Sequence, residues 1–163
     1  MSDIHVTRTD PDDDAATALL LDLDRLVWSD AARVPLAEAL RDTPARAGFV
    51  ATRDGEAAGI AGSWDVEVSV PAKGGAALRP AEGLTWVGVH PDHRRQGVLS
   101  ALVREHLRWT HEEQHRSIAV LKASQETIYG RFGYGVTSSA LRSRFSTASM
   151  LRIAIRGGAR RNA

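Results

Sequence analysis

The strongest constraint on the fold is one uninterrupted stretch, Leu84 to Leu107, in which a strand, a donor-rich turn and an amphipathic helix follow one another. Leu84 to Val89 is apolar and β-branched, which favours a buried strand, and Pro91-Asp92 favours a turn because proline has no N–H for a sheet. From Val98 onwards, leucine and valine recur at helical spacing. The stretch therefore predicts a strand that stops at His90, a loop, and a helix.

The loop of this stretch has the composition of an anion-binding site. Arg94 and Arg95 supply two guanidinium groups, and Gly97 lets a ligand approach the main chain more closely than a Cβ would permit. The amides from Arg95 to Leu99 become the unpaired N–H groups of a helix N-terminus, which carries the positive end of the helix dipole. This combination predicts phosphate binding. It is neither a Walker motif nor the dinucleotide G-x-G-x-x-G pattern.

A second segment, Ile128 to Gly135 (IYGRFGYG), adds a family resemblance. Val89 to Leu99 resembles the acyl-CoA-binding motif R/Q-x-x-G-x-G/A of the GNAT N-acetyltransferases, and Tyr129-x-x-x-Gly133-Tyr134 resembles their Y-x-x-x-G-F/Y signature. More narrowly, HRRQGVLSAL followed by IYGRFGYG is similar to the N-terminal domain of the enhanced-intracellular-survival (Eis) aminoglycoside acetyltransferases. Leu99 stands where most GNAT proteins carry Gly or Ala, and the narrower family tolerates Leu there.

The resemblance implies an enzyme that moves an acetyl group from acetyl-CoA, its cosubstrate, to a primary amine of an aminoglycoside, a polyamine or a peptide lysine, without a metal. It implies that Tyr129 protonates the departing thiolate, with Tyr134 as the weaker candidate for this acid, and that Trp86 lines the substrate pocket. The cofactor contacts that it implies are Val87, Gly88, Val89, Arg94, Arg95, Gln96, Gly97, Val98, Leu99, Ser100, Ser124 and Gln125. Without the surrounding glycine pattern, the favoured interpretation of either tyrosine is an amphipathic core residue with its hydroxyl bonded. A buried tryptophan in a strand, such as Trp86, is at least as typical of a core as of a substrate pocket.

Length and composition predict one cytoplasmic domain. The chain has 163 residues, of which 43% are hydrophobic, and contains no apolar run of the roughly 20 residues that span a membrane. The start of the chain lacks the apolar core of a signal peptide. The sequence contains no cysteine, which excludes disulfides and a catalytic thiol, so that any acyl transfer must be direct.

The expected fold class is α/β (α+β). Two strands should flank a tight turn at Asp54-Gly55, and Ala72 to Gly83 is expected to be a mobile loop bordering a cleft. A helix between the strands Leu84–Val89 and Ser117–Leu121 predicts a parallel crossover, so the sheet should be mixed. The GNAT fold implied by the resemblance is a mostly antiparallel twisted sheet with a central splayed parallel pair and helices on both faces. We place the acyl-CoA-binding domain at residues 1–146 and a basic strand or tail of unknown role at 147–163.

The general base that deprotonates the amine is not marked by any motif. No carboxylate lies in Leu84–Val89, whereas Asp65, Glu67 and Glu82 flank the expected cleft, and water could also relay the proton. In the resembled narrower family the chains are much longer, and their terminal carboxylate acts as the base. The resemblance covers about residues 1–145, so the further domains of that family are absent from this sequence.

A competing motif is His111-Glu112-Glu113-Gln114-His115, which matches the H-E-x-x-H pattern of zinc proteases. We expect no metal there, because the buried stripe of the helix centres on Leu99, Leu102 and Val103, which leaves His115 on the solvent side. Histidine near a helix C-terminus is already favoured by the helix dipole.

The charges are distributed unevenly. Residues 1–30 hold eight Asp against two Arg, whereas residues 141–163 hold six Arg and no acid. The acidic end could attract a cationic amine, and the basic end could bind nucleic acid, but such charged runs are mostly solvated surface. We therefore expect no nucleic-acid partner. The expected partner is the amine that the resemblance implies, and no membrane is expected. Two alternatives stay open: a homo-oligomer, and a non-catalytic CoA-binding or structural module of the same fold that lost its catalytic partner domain.

Overall fold

A computed structural model describes residues 3–10, 13–27, 45–123, 125–140 and 149–155. The chain forms two compact units, each built from two segments. The first unit comprises residues 1–65 and 84–107, and the second comprises residues 66–83 and 108–163. The sequence also predicts a helix that begins near Pro35 and a final strand pair that extends to Phe145. Residues 28–44, which include this predicted helix, and residues 141–148 lie outside the described residues.

Antiparallel strands form the sheet of the first unit. Strand β1 (Ile4–Thr9) pairs with β2 (Ala47–Arg53), and β2 pairs with the beginning of β3 (Glu56–Ala72). Asp54 and Gly55 join β2 to β3 with φ angles of 52° and 86°. Two consecutive positive φ angles are typical of the tight turns whose twist matches that of a hairpin, so the predicted hairpin is confirmed.

Helices pack on opposite faces of β3 within the first unit. Ile60 packs with Val50 and with Leu23 of helix α1 (Asp14–Val27). A Cβ on the preceding residue, Gly59, would lie 2.8 Å from the Val98 side chain, at the start of helix α2 (Val98–Glu112). Because successive strand residues point to opposite faces, the two helices lie on opposite sides of this strand.

The prediction of a loop over Ala72 to Gly83 is wrong. Strand β3 continues to Ala72, a two-residue turn at Lys73-Gly74 reverses the chain, and strand β4 (Gly75–Val89) begins at once. The alanines, glycines and Pro80 of this segment have little intrinsic strand preference, but pairing with β3 and burial of Ala81 against Val68 and Val120 override that local weakness.

The second unit contains the remaining strands. Strand β7 (Ser149–Ile155) pairs antiparallel with both β5 (Ile118–Ala123) and β6 (Tyr134–Ala140), so this part of the basic tail is a sheet strand. The sequence favours a short helix from Glu126 to Arg131. The structure instead has two 3₁₀ turns, Glu126–Ile128 and Gly130–Phe132.

Among the described residues the strand order is β1-β2-β3-β4-β5-β7-β6. Strands β3 and β4 contribute to both units, and α2 connects β4 to its neighbour β5, which is the connection that the sequence predicts. No helix in the described part of the chain is long and apolar enough to span a lipid bilayer.

Candidate active site

The predicted anion loop follows directly on β4 and is held by its own backbone. The His90 amide donates to the Ala58 carbonyl of β3 at 2.9 Å, and Pro91–His93 form a 3₁₀ turn. The Asp92 amide donates to His90 Nδ1 at 3.3 Å, and Gln96 Nε2 donates to the Asp92 carbonyl at 2.8 Å. The loop is therefore closed by its own short-range hydrogen bonds.

Two residues of the loop have left-handed backbone conformations. Arg95 has a φ of 61° and Gly97 a φ of 94°, and both residues are exposed, as are Arg94 and Gln96. Alternation of left- and right-handed residues turns successive amides towards a common point, which forms a concave anion site. The side chain of Gln96 is engaged within the loop, so its expected cofactor contact would have to come from its backbone.

Helix α2 begins at the end of this loop. Its first backbone hydrogen bond runs from the Ala101 amide to the Gly97 carbonyl at 3.0 Å. Within the described segment 45–123, the amides of Val98, Leu99 and Ser100 therefore precede the first amide that donates within the helix, as at any helix N-terminus. The Val98 side chain is fully buried and fixes this end of the helix beneath the exposed arginines.

The β4 backbone is irregular at Trp86, just before the loop. Trp86 has a φ of 46°, which is an outlier for a bulky residue. A Cβ on Gly62 of β3 would lie 2.8 Å from Trp86 Cε3 and 3.3 Å from Thr85 Cγ2. Consecutive side chains of a regular strand point to opposite faces of the sheet. Thr85 and Trp86 instead both approach Gly62, so the alternation of β4 is interrupted here, as it is at a β-bulge.

The expected cofactor strand residues flank this break. Val87 and Val89 are half-buried, whereas Gly88 is buried and a Cβ on it would lie 2.9 Å from the Val27 side chain of α1. Trp86 is half-buried and meets Trp64 edge to face, with 5.1 Å between the ring centroids. The structure therefore gathers Val87 to Ser100 and Trp86 in the first unit.

The predicted catalytic tyrosine lies in the second unit, between the two 3₁₀ turns. Tyr129 is half-buried, and burial raises the pKa of its phenol above the ordinary value. Its ring meets that of Tyr134 edge to face, with 6.0 Å between centroids. Burial, and secondarily the charge that Tyr129 would carry as a phenolate, raise the pKa of Tyr134. Gln125 is exposed in the same unit, whereas Ser124 lies outside the described residues.

Comparison with known proteins identifies the family. A model of the acetyltransferase (GNAT) domain matches residues 14–137 of the chain. The chain belongs to the GNAT family of acetyltransferases. The predicted family is confirmed. A GNAT family acetyltransferase from Brucella melitensis, solved in complex with acetyl-CoA, superposes with a TM-score of 0.67 at 20% sequence identity, over 96% of this chain and 90% of that one. This similarity confirms the predicted α/β fold with a mixed sheet.

Sequence relatives support the narrower resemblance. An uncharacterized N-acetyltransferase from Streptomyces coelicolor is 42% identical over 113 residues, 65% of this chain and 25% of that protein. N-acetyltransferase Eis from Mycobacterium tuberculosis is 41% identical over 93 residues, 54% of this chain and 22% of Eis. The GNAT domain described here thus spans about a quarter of the length of these relatives.

The carboxylates considered as bases for this GNAT domain have distinct environments. Asp65 is exposed and forms an ion pair with Arg46 at 3.0 Å. Glu67 is exposed. Glu82 is fully buried, and its Oε1 lies 3.8 Å from Nε of Arg116, so its charge has a cationic neighbour. No motif distinguishes one of them as the base.

The H-E-x-x-H segment does not form the helical pair that a zinc protease needs. Helix α2 ends at Glu112, and His115 lies beyond it with a φ of 53°. The Arg116 amide donates to the Thr110 carbonyl, six residues earlier, at 2.9 Å, and the chain turns away from the helix at His115, which has a left-handed backbone. The two histidines are therefore not on successive turns of one helix face.

Sequence reasoning missed two histidines of the first unit. His106 of α2 is fully buried, lies 3.0 Å from the Ser63 hydroxyl through Nε2, and meets the Phe49 ring edge to face at 5.7 Å. His93 lies 3.8 Å from the Glu56 carboxylate. The signal for His106 was present, since it follows Leu99 and Leu102 on the buried stripe at helical spacing, whereas nothing in the sequence indicated the contact of His93.

Proposed function

We propose that this GNAT domain transfers an acetyl group from acetyl-CoA directly to a primary amine. The observation that carries the proposal is the exposed loop at the start of α2, in which Arg95 and Gly97 have left-handed backbones and two arginines flank a helix N-terminus. Relatives named N-acetyltransferase and the acetyl-CoA complex of the Brucella protein support the choice of cosubstrate.

The loop binds the diphosphate of the cosubstrate. The amides of Gly97, Val98, Leu99 and Ser100 donate to phosphate oxygens, and the guanidinium groups of Arg94 and Arg95 add charge. Gln96 acts mainly by closing the loop through its bond to the Asp92 carbonyl. A φ of 94° at Gly97 is a conformation that L side chains rarely adopt, so this position sets the direction of the amides that follow it.

The end of β4 binds the pantetheine arm. The break at Trp86 interrupts the regular alternation of the strand just before Val87, Gly88 and Val89. At a break in a strand, backbone N–H and C=O groups that a regular strand would bond to its neighbour become available. The amide groups of an extended pantetheine arm can form hydrogen bonds with them. Gln125 and Ser124 are the further contacts that the family resemblance implies.

Tyr129 acts as the general acid of the reaction. The neutral amine attacks the thioester carbonyl and a C–N bond forms. The C–S bond then breaks, the departing thiolate takes the phenol proton, and the proton that the nitrogen loses as it becomes an amide returns to the phenolate through solvent. Burial raises the pKa of Tyr129, which keeps the phenol protonated at neutral pH, as an acid must be. The amine loses its proton to water or to a carboxylate, because an alkylammonium near pKa ~10 is mostly charged at pH 7.

The acceptor is a cationic amine of small or peptide size, such as an aminoglycoside, a polyamine or a lysine side chain. Trp86 lines its site, and the half-buried Trp64–Trp86 pair supplies aromatic surface against which an ammonium group is attracted. The cytoplasm, where acetyl-CoA and such amines coexist, is the expected compartment.

One observation favours a second candidate function. No motif marks one of the described carboxylates as the general base, so a domain that binds CoA without catalysing transfer is the alternative. Such a module would retain the loop of α2 but would not need Tyr129 as an acid.

Release of free thiol from acetyl-CoA tests both functions. The purified chain is incubated with acetyl-CoA and, separately, with an aminoglycoside, spermidine and a lysine peptide. We expect turnover with at least one amine, a loss of kcat of about 10²–10⁴-fold in Tyr129→Phe, and unchanged CoA affinity in that variant. Tyr134→Phe is the matched variant, and a loss of turnover there instead would move the acid to Tyr134. CoA binding without turnover on any amine would establish the non-catalytic module.

A further inference from the structure

The two tyrosines of the second unit form a ring pair in which only one ring is held by the sheet. Tyr134 begins strand β6, its backbone pairs with Ala154 of β7, and its side chain is only 3% exposed. Tyr129 instead lies between two short 3₁₀ turns and is half-buried. The rings meet edge to face at an interplanar angle of 73°, with 6.0 Å between centroids. This geometry is typical of a favourable aromatic pair, so the ring of Tyr134 supports the ring on the turn.

The contact depends on the backbone at Gly133. Residues five apart in a continuous α-helix are separated by about 140° around its axis, so Tyr129 and Tyr134 would not share a helix face. Gly133 ends the second 3₁₀ turn with a φ of 90°, and its amide donates to the Gly130 carbonyl at 3.0 Å. Beyond its chain neighbours, a Cβ at Gly133 would meet no heavy atom of the described residues within 4 Å. The left-handed conformation, and not a lack of space, therefore favours glycine at this position.

The contact is made by the ring of Tyr134 and not by a hydrogen bond of its hydroxyl group. Among the described residues, the buried hydroxyl oxygen has no hydrogen-bond partner. Burial also raises the pKa of this phenol, which makes it a weaker acid. A buried polar group without a partner costs stability. Phenylalanine should therefore replace Tyr134 without loss of the pair, whereas an aliphatic side chain should not.

We propose that Tyr134 is a positioning residue for the reaction, and that its ring holds the Tyr129 phenol in the orientation from which the phenol proton reaches the departing thiolate. The inference rests on the proposed role of Tyr129 as the general acid. Tyr134 itself gives up no proton, and the bonds that form and break are unchanged. Because the anion loop takes no part in the ring pair, the effect falls on kcat and leaves the affinity for CoA unchanged.

Thiol release at saturating acetyl-CoA, with an amine that the wild type acetylates, tests the role of the ring. Tyr134→Leu should lower kcat about tenfold, near the upper end of what an aromatic pair contributes. Tyr134→Phe is the conservative variant, which keeps the ring, and its kcat should lie within about twofold of the wild type. The Kd for CoA should be the same in all three proteins. An equal decrease in kcat in both variants would assign the effect to the hydroxyl group and overturn the proposal.

A double substitution separates the positioning of Tyr129 from a general loss of structure. In Tyr129→Phe there is no phenol proton to direct, so the addition of Tyr134→Leu should change the remaining rate by less than about twofold. A further loss of about tenfold would show that Tyr134 acts independently of Tyr129, and the proposal would then be wrong.

Nuclear magnetic resonance of isotope-labelled tyrosine reports the contact without turnover. The chain has two tyrosines, so the labelled ring in each Tyr134 variant is that of Tyr129 alone. Its ring resonances should keep their wild-type positions in Tyr134→Phe and move towards those of an unpacked tyrosine in Tyr134→Leu. Loss of the contact in Tyr134→Leu with an unchanged kcat overturns the role of Tyr134 and leaves the proposed function standing. Absence of turnover with every amine in the wild type overturns both.

Discussion

His106 should make the stability of the first unit sensitive to mild acid. The side chain is fully buried, and burial lowers its pKa from 6.5 to about 3. In the unfolded chain the imidazole takes a proton below its ordinary pKa, whereas in the folded chain it stays neutral. The folded state therefore loses relative stability as the pH falls from about 6.5 towards about 3, and the contribution of His106 is complete only above that window.

The size of the effect follows from the pKa difference. One pKa unit corresponds to about 1.4 kcal/mol. Protonation of His106 in the unfolded state therefore lowers the free energy of unfolding by about 2 kcal/mol at pH ~5 and by about 4 kcal/mol at the lower end of the window. A loss of about 2 kcal/mol is large for a domain of this size, whose total stability is of the order of 10 kcal/mol.

Urea unfolding at pH 7.5 and pH 5.0, followed by tryptophan fluorescence, measures the loss. His106→Gln keeps a group that can reach the Ser63 hydroxyl but does not titrate, so its free energy of unfolding should fall by about 2 kcal/mol less than that of the wild type between these pH values. His111→Gln, on an exposed residue, should follow the wild type. Equal losses in the wild type and in His106→Gln would refute the reasoning, because a non-titrating side chain cannot contribute this term.

Three further substitutions test the site and its support. Gly97→Ala should weaken CoA binding about tenfold in a titration, because a residue with a Cβ costs ~1–2 kcal/mol in the left-handed conformation. Gly55→Ala, at a similar φ in the β2–β3 turn, should lower stability and leave CoA binding unchanged. Glu82→Gln should lower the free energy of unfolding, measured by urea titration, by about 3 kcal/mol, because Arg116 loses its anionic neighbour. Unchanged stability together with a large loss of kcat would instead identify Glu82 as the general base. Trp86→Ala should raise the KM for the amine about tenfold in steady-state kinetics by removing aromatic surface worth ~1–2 kcal/mol, and a rise confined to the KM for acetyl-CoA would contradict that assignment.

The sequence predicted the elements that carry their own local signal. The strand at Leu84–Val89 and the helix from Val98 follow from apolar spacing, and the β2–β3 hairpin follows from Asp54-Gly55, because each signal lies within a few residues of what it specifies. The arginines and Gly97 of the loop were found for the same reason.

What the sequence did not reveal depends on partners far along the chain. Gly75 to Pro80 became part of β4 through its pairing with β3, although its own residues favour a loop. The contact of His93 with Glu56 joins residues on different elements, and neither residue belongs to a motif that would indicate it. The general base is unmarked for a related reason, since a carboxylate becomes a base through its surroundings and not through its spacing.

Trp86 shows most clearly why the pattern of a strand does not determine its function. The run Leu84 to Val89 reads as a uniform β-strand, yet Trp86 has a φ of 46° and shares a side-chain contact with Thr85 at Gly62. A backbone of this kind costs on the order of 1–3 kcal/mol and persists only where surrounding packing enforces it, here the edge of Trp64 and the close approach to Gly62. Departures from the local rules of sequence and structure are typically found at functional or strained sites. The strain at Trp86 thus supports the proposed pantetheine site from a direction that the phosphate motif does not supply.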